Sequence, residues 1–323
     1  MFATLLGALP RPSPDAVLES AIRTAVRAQE EAGLEPITDG RLRGELSDLA
    51  DLADLADLAL QPDAVVATWT FAAGLTDRAV KQALPGPYTL GRRQSDRSLD
   101  APGRAAATID AAMQLRAVVE GLAAAGCPLI EIEETEAHRI GGSDDERGLF
   151  AAAHRTLADG VAGTHLSLSI VGGAAWEAGL ETIGDAPYAS LAFDLIDGPD
   201  NWNLITRLGG ERGVIAGVLP AKASPADAKE VMLWAARYAA GSNGRGLDRV
   251  GLGSAGSWAN LTWEAAVEKM RRLGEAARLA SMPGGEGLAR QLDPRAVDAR
   301  RAAMGHDPAA RRRGRRSPSQ EAG

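Results

Sequence analysis

The chain has 323 residues, of which 45% are hydrophobic and only 4% are aromatic, and this is enough apolar material for one large core. Its formal net charge of -8 disfavours binding of the whole chain to nucleic acid, and its single cysteine, Cys127, excludes an internal disulfide and fits a reducing compartment. No run of about 18 apolar residues occurs, so we expect no membrane span.

The chain opens with MFATLLGALPRP, which predicts a first strand at Thr4–Leu9. This opening is too short for a secretory signal peptide and lacks the basic residues with which such a peptide begins. We therefore expect a cytoplasmic protein.

Seven further short apolar runs follow the first, and helical patterns separate most of them. The predicted strands are Pro36–Asp39, Tyr88–Gly91, Leu129–Glu133, Thr164–Val171, Ser190–Ile196, Val214–Leu219 and Arg249–Gly253. The clearest predicted helices are Asp15–Ala32, Gly103–Ala125, Asp144–Ala158, Asn201–Leu208, Pro225–Ala240 and Leu261–Ala280. Strands that alternate with helices imply a parallel sheet, and closing eight of them gives an α/β fold of the (β/α)8 TIM barrel type. A doubly wound open sheet is the alternative, which the lack of a Gly-x-Gly-x-x-Gly turn after the first strand disfavours.

Two segments depart from this alternation. The run DLADLADLADLAL, at Asp48–Leu60, has a period of three and predicts a helical insert near residues 42–62, close to the barrel mouth. From Gly287 to Gly323 there are nine arginines and four acids, a local charge of +5, and this pattern is typical of a disordered tail. We therefore expect a single barrel domain over residues 1–282 and an Arg-rich tail over residues 283–323.

Polar side chains at the strand ends are the candidates for a functional site, because active sites of such barrels lie at the carboxyl ends of the strands. The candidates are Asp39, Arg41, Arg93, Glu133, Glu134, His165, Ser167, Asp194, Ser254 and Trp258. Charged side chains inside parallel strands indicate a functional or structural role, since these strands are buried on both faces and an uncompensated buried charge destabilises the fold. Each acid could instead pair with an arginine, and Trp258 could stack on a planar ligand or pack the top of the barrel.

Several segments, in order, resemble the catalytic barrel of cobalamin-independent methionine synthase and its short single-barrel relatives. ATLLGALPRP resembles the family's first strand, and QEEAGLEPITDGRLRGE resembles a segment that ends in an acidic-glycine motif. GPYTLGRR resembles its Gly-Pro-x-Thr strand, and PLIEIEETEA resembles its Ile-Gln-Ile-Asp-Glu-Pro motif, with Glu133 and Glu134 at the acidic pair. VIAGVLPAKASPADAKEV resembles its seventh strand and the helix after it. The resemblance covers roughly Ala3 to Ala280 and implies the same barrel.

The resemblance also implies a zinc site, from which this sequence departs. In the family, zinc is held by a His-x-Cys pair on the fifth strand, a Glu on the sixth and a Cys after the eighth, and it activates a thiol for attack on a methyl group. Here His165 keeps the His position and Asp194 lies near the Glu position, but Ser167 replaces the first Cys and Ser254 or Ala255 the second. With both thiolates missing, the affinity for a soft metal falls, and His165 and Asp194 are the remaining predicted ligands.

The resemblance implies a transferase that moves a methyl or other small alkyl group and acts on a small polar substrate at the mouth. Glu133, His165 and Asp194 are the predicted catalytic residues, with Glu133 or His165 as the base, and the other candidates are predicted to bind substrate. A lyase or hydrolase of a small metabolite on the same barrel, or a non-catalytic ligand-binding relative, are the alternatives. The expected partner is a small molecule rather than a membrane or a nucleic acid, and a homodimer is the default expectation for the assembly.

Overall fold

The computed structural model describes residues 1–43, 61–95, 101–222 and 227–282. Most of the predicted helical insert near residues 42–62 and all of the Arg-rich tail at residues 283–323 lie outside the described residues. The predicted start of a helix at Pro225 also lies outside them.

Seven parallel strands form one sheet in the order β1-β7-β6-β5-β4-β3-β2. The strands are β1 (Phe2–Thr4), β2 (Lys81–Pro85), β3 (Leu129–Glu133), β4 (His165–Ile170), β5 (Ser190–Asp194), β6 (Gly213–Leu219) and β7 (Val250–Ser254).

A short segment at residues 35–38 closes the sheet between its edge strands. On one side, the Glu35 N–H donates to the Ala3 carbonyl at 2.9 Å. On the other side, the Ile37 N–H donates to the Ala79 carbonyl and the Lys81 N–H donates to the Ile37 carbonyl, both at 2.9 Å. The segment makes only isolated bridges rather than a regular strand. The ring is closed, and the predicted TIM-type α/β barrel is confirmed.

Helices cover the outside of the sheet. They are α1 (Leu18–Ala32), α2 (Pro62–Ala73), α3 (Pro87–Ser95), α4 (Ala101–Ala124), α5 (Asp144–Ala158), α6 (Leu180–Gly184), α7 (Trp202–Arg207), α8 (Lys229–Gly241) and α9 (Trp263–Ser281). Their ends follow local chemistry, because the hydroxyls of Ser143 and Thr262 cap the first turns of α5 and α9. Within the described ranges, no helix has both the length and the apolar character needed to cross a membrane.

Three predicted strands differ from the structure. Thr4–Leu9 overlaps β1 only at Thr4, Pro36–Asp39 makes isolated bridges rather than a regular strand, and the third is a helix. Tyr88–Gly91 lies in α3, and the strand of this unit is β2, which begins seven residues earlier in the chain. Pro87 stands at the first position of the helix, which its fixed φ favours. The apolar residues that suggested a strand, Tyr88 and Leu90, are instead buried in the first turns of this helix.

Along each strand, side chains point alternately outward, to the core between sheet and helices, and inward, to the interior of the barrel. Those that face outward, such as Ile130, Ile132 and Leu168, pack against the helices. The inward-facing side chains divide the barrel interior into two parts. One part is apolar and contains Leu6, Val171, Ala192, Ile215 and Phe2. The other part is polar and buried, and its members are Lys81, Glu131, Ser167 and Ser169. A polar sector is unusual, because branched apolar residues normally fill the interior of such barrels.

Candidate active site

A cavity of about 320 Å³ opens at the carboxyl ends of the strands. Its lining residues are Arg41, Arg93, Glu133, Thr135, Val171, Gly172, Asp194, Asp197, Ala221, Ala255, Gly256 and Ser257. We call it the mouth cavity. Larger depressions of about 700 and 660 Å³ lie outside the barrel, between α1 and α9 and between α5 and α6. The mouth cavity is the candidate site, because TIM barrels hold their chemistry at this face and its size suits a small molecule.

Asp194 is the last residue of β5, is fully buried and lines the mouth cavity. Its Oδ1 accepts hydrogen bonds from the N–H groups of Ile196, at 2.9 Å, and Asp197, at 3.0 Å. Its Oδ2 has no hydrogen-bond partner among the described residues. Burial raises the pKa of Asp194 to about 6, although the backbone N–H groups of Ile196, Asp197 and Gly172 lower it. A carboxyl held by one oxygen, with the other unpartnered, is suited to exchange a proton with a ligand near neutral pH.

Glu133 ends β3, and its carboxylate forms an ion pair with the guanidinium of Arg41. Arg41 has a φ of 52°, and the Asp39 side chain accepts a hydrogen bond from its N–H at 2.7 Å. Asp39 therefore holds the turn that presents Arg41, and it is absent from the cavity lining. Because Arg41 compensates its charge, Glu133 is suited to orient a ligand together with Arg41 rather than to act as a free base.

Arg93 projects from α3 and lines the mouth cavity beside the segment that follows β3. Its Nη2 donates to the Thr135 hydroxyl at 3.0 Å, and its Nε lies 3.3 Å from the Glu136 carboxylate. The cavity lining thus combines two guanidinium groups with the carboxylates of Glu133, Asp194 and Asp197. This mixture of charges fits a small polar ligand.

Glu134 does not face the mouth cavity, because it follows Glu133 and points to the other side of β3. Its carboxylate accepts from the N–H groups of Tyr88, at 3.0 Å, and Thr89, at 2.7 Å, and from the Thr89 hydroxyl at 2.6 Å. His154 lies 3.0 Å from the same carboxylate. The structure therefore assigns Glu134 to the start of α3, and the predicted contact with substrate is replaced by helix capping.

Gly86 lets the capping carboxylate approach. A Cβ at Gly86 would overlap the carboxyl group of Glu134, whereas a Cβ at the exposed Gly142 meets no atom within 4 Å. We expect Gly86→Ala to destabilise the fold by about 2 kcal/mol, because Glu134 cannot move without losing the cap. Chemical denaturation measures the change, with Gly142→Ala as control, expected within about 0.5 kcal/mol of wild type. Equal stability of the two variants would show that Glu134 is not fixed at α3.

His165 does not reach the mouth. It is the first residue of β4, is exposed, and lines a separate cavity of about 460 Å³ at the amino end of the barrel. Its Nε2 lies 2.8 Å from the hydroxyl of Ser190, at the start of β5. The prediction that His165 shares a pocket with Glu133 and Asp194 is therefore wrong, because Glu133 is level with Ser169, four residues further along β4.

The remaining candidates, Ser167, Ser254 and Trp258, are buried near the mouth cavity but do not line it. Ser167 is buried in the barrel interior, level with Glu131 and below the cavity. The Ser254 hydroxyl accepts from the Leu6 N–H at 2.7 Å and donates to the Leu6 carbonyl at 2.8 Å. Trp258 is buried, and its indole N–H donates to the Leu219 carbonyl at 3.3 Å. These contacts favour the packing interpretation of Trp258 and give Ser254 a structural role.

The donors at the mouth do not fit the zinc site that the family resemblance implies. The described part of the chain holds no group of three or more His, Cys, Asp or Glu side chains suited to a metal. The predicted ligands His165 and Asp194 lie at opposite ends of the barrel, so they cannot share one ion. At the carboxyl end of β4 and just after it, the inward-facing residues are Ser169 and Val171, which offer no nitrogen or thiolate donor.

Sequence reasoning missed Thr135, which lines the mouth cavity two residues beyond the end of β3. The rule that selected Glu133 and Asp194 would have found it if it had been applied to every polar residue of that loop. Asp197 lines the same cavity, three residues beyond the end of β5. Lys81 was missed for another reason, because its strand was placed at the wrong segment.

Comparison with solved structures agrees with this fold. The chain is similar to a B12-independent methionine synthase from Shewanella sp. W3-18-1, solved in complex with selenomethionine, at 15% identity and a TM-score of 0.67, over 90% of this chain and 98% of that chain. It is also similar to a methyltransferase from Methanosarcina mazei at 12% identity and a TM-score of 0.56, over 84% of this chain and 94% of that chain. No protein of curated function matches the chain.

The sequence itself carries the family assignment. The model of the family described as "Cobalamin-independent synthase, Catalytic domain" matches residues 54–279, which is well over half of the 323 residues. The match extends from before α2 to the last turns of α9 and includes β2–β7, the strands that supply the carboxylates of the mouth. The resemblance read from the sequence motifs is confirmed, and the chain belongs to the cobalamin-independent synthase family, as a form of its catalytic domain.

Proposed function

We propose that the protein is a transferase of methyl or other small alkyl groups that acts on a small polar substrate in the mouth cavity. The observation that carries the proposal is the Asp194 Oδ2 atom, which is buried at the cavity wall and has no partner among the residues described. Family membership supports group transfer, because the two similar solved proteins are a methionine synthase and a methyltransferase.

In the proposed reaction, Asp194 is the general base. The heteroatom of the acceptor forms a bond to the alkyl carbon, and the bond from that carbon to the donor breaks, leaving its electron pair on the donor. The proton on the acceptor moves to Oδ2 of Asp194. With a pKa of about 6, Asp194 is ionised at neutral pH and can still hold the proton that it receives.

The charged residues of the cavity wall would position the two reactants. Arg41 and Arg93 are suited to hold anionic groups, because a guanidinium binds carboxylate or phosphate through two parallel hydrogen bonds. Glu133 keeps Arg41 in place and remains within reach of a ligand at the mouth. No step passes through zinc, since the donor set does not fit that ion. Proton removal by Asp194 would take the place of thiolate formation on a metal.

Turnover of an Asp194 variant tests this proposal. The purified protein is first screened with sulfonium and N-methyl donors against thiol, amine and carboxylate acceptors, with NMR detection of the transferred methyl group. For an active pair, we expect Asp194→Asn to lower kcat about 100-fold or more, the usual contribution of a general base. Asp200→Asn changes an exposed carboxylate of the same loop and is expected to keep wild-type kcat.

Three outcomes would contradict the proposal. Full turnover in Asp194→Asn would remove Asp194 from the chemistry. Conversion of a single substrate without an acceptor would identify a lyase or hydrolase. Ligand binding at the mouth without turnover of any donor and acceptor pair would identify a non-catalytic relative.

A further inference from the structure

A line of polar side chains runs through the barrel interior beneath the mouth cavity. In the parallel register, Glu133 is level with Ser169, Glu131 is level with Ser167, and Ser167 is level with Ser190. Each alternates with an apolar residue that packs on the helices, so each faces the interior. We call the following buried residues the polar seam: Asp194, Glu133, Ser169, Glu131, Ser167 and Ser190.

The polar seam connects two cavities. At its upper end, Glu133 and Asp194 line the mouth cavity. At its lower end, Ser190 lines the amino-end cavity and lies 2.8 Å from His165. The seam therefore spans the barrel from one face to the other.

Four oxygen atoms of the seam are buried and have no hydrogen-bond partner in the part of the chain that the structure describes. They are Oδ2 of Asp194, Oγ of Ser169, Oγ of Ser167 and Oε1 of Glu131. Glu131 and Ser167 share one level of the sheet, Ser169 lies on the next and Asp194 on the one after it, and adjacent strands are spaced about 4.8 Å apart. The other oxygen of Glu131 is bound, since it lies 2.7 Å from the Lys81 ammonium.

A buried oxygen without a hydrogen bond destabilises a fold, and native proteins usually satisfy such atoms with protein groups or bound water. A buried water makes two to four hydrogen bonds, and neighbouring hydroxyl and carboxylate oxygens are the partners that it needs. A row of four such atoms between two cavities is therefore more consistent with a hydrated interior than with a dry one.

We propose that the polar seam binds water molecules that bridge Ser167, Ser169, Glu131 Oε1 and Asp194 Oδ2. This water connects Asp194 with the Lys81–Glu131 ion pair and gives the carboxyl of Asp194 a path for a proton that does not pass through the mouth. The proton path rests on the proposed role of Asp194 as a base, whereas the water site itself does not.

The proposal is tested by whether replacement of Ser167 or Ser169 by alanine lowers or raises the Tm of the protein. In a hydrated seam, Ser167→Ala and Ser169→Ala each remove a partner of bound water, and we expect each to lower Tm by about 2 °C. In a dry seam, the same changes remove an unpartnered buried hydroxyl and leave Tm unchanged or higher. Ser254→Ala calibrates the scale, because its hydroxyl bonds to Leu6 in either case and its loss must lower Tm.

A high-resolution crystal structure of the wild-type protein gives an independent measurement. We expect density for water within hydrogen-bond distance of Ser167 Oγ and Ser169 Oγ. Empty density there, a metal ion in place of water, or a Tm that does not fall in either serine variant would overturn the proposal. Neither experiment measures turnover, so failure of the proposed reaction would leave this result unaffected.

Discussion

Replacement of Glu131 by leucine should destabilise the fold by about 3–5 kcal/mol, because it leaves the Lys81 ammonium buried without its carboxylate. The pair lies inside the barrel, with side chains that are 1% and 0% exposed, and its atoms are 2.7 Å apart. Among the described residues, the ammonium also donates a hydrogen bond to the Leu5 carbonyl at 2.6 Å. Burial raises the pKa of Glu131, and the neighbouring Lys81 ammonium lowers it, so the Glu131 carboxylate depends on Lys81 for its charge. Chemical denaturation at neutral pH measures the loss.

A double-mutant cycle separates the pair from the cost of each single change. Lys81→Met should also destabilise the fold, because it leaves the Glu131 carboxylate buried without its ammonium partner. The double variant Lys81→Met with Glu131→Leu should recover most of the stability, since an apolar pair removes both charges from the interior. If the two single effects simply add in the double variant, Lys81 and Glu131 are not coupled, and this account of the interior is wrong.

Asp194→Asn should stabilise the free protein by up to about 3 kcal/mol at pH 8 and by almost nothing at pH 4. The ordinary pKa of an aspartate is 3.8, and burial raises that of Asp194 to about 6. Between these two values the folded protein binds more protons than the unfolded chain does. The stability of the wild-type protein therefore falls as pH rises through this window, and asparagine, which cannot ionise, removes the loss.

Denaturation of both proteins at pH 4, 6 and 8 measures the difference, with the exposed Asp200→Asn as control. The control should show no pH-dependent gain. Parallel stability curves for Asp194→Asn and wild type would show that the carboxyl of Asp194 has an ordinary pKa in the folded state. A gain in stability together with a loss of turnover is the behaviour of a residue that is kept for function at a cost in stability.

The fold was predictable because most of its strands are short apolar runs followed by helical patterns. Leu129–Glu133 was predicted with the bounds that β3 has. The strand β2 was missed because its sequence, KQALP, begins with a charged and an amide residue. Lys81 is acceptable inside the barrel only because Glu131, which lies 50 residues away in sequence, neutralises it. A local pattern holds no information on such a long-range pair.

The site was predictable where one rule was sufficient. Glu133 and Asp194 end their strands, and the carboxyl-end rule placed both at the mouth. The rule failed for His165, because this residue begins its strand and so lies at the other face. It failed for Glu134, because neighbouring residues of a strand point in opposite directions, and α3, a helix about 40 residues earlier in the chain, uses its carboxylate. Which end and which face a side chain occupies depends on register, and register comes from the whole sheet.

The segment at residues 35–38, which closes the ring between β1 and β2, leads directly into the turn that carries Arg41. A ligand that binds Arg41 at the mouth would therefore also help to fix the position of residues 35–38. Ligand binding at the mouth and closure of the ring are then thermodynamically linked. A ligand that binds more tightly when the ring is closed raises the free energy needed to open the ring. The weakest-paired part of the barrel wall would thus be reinforced by the substrate that it helps to hold.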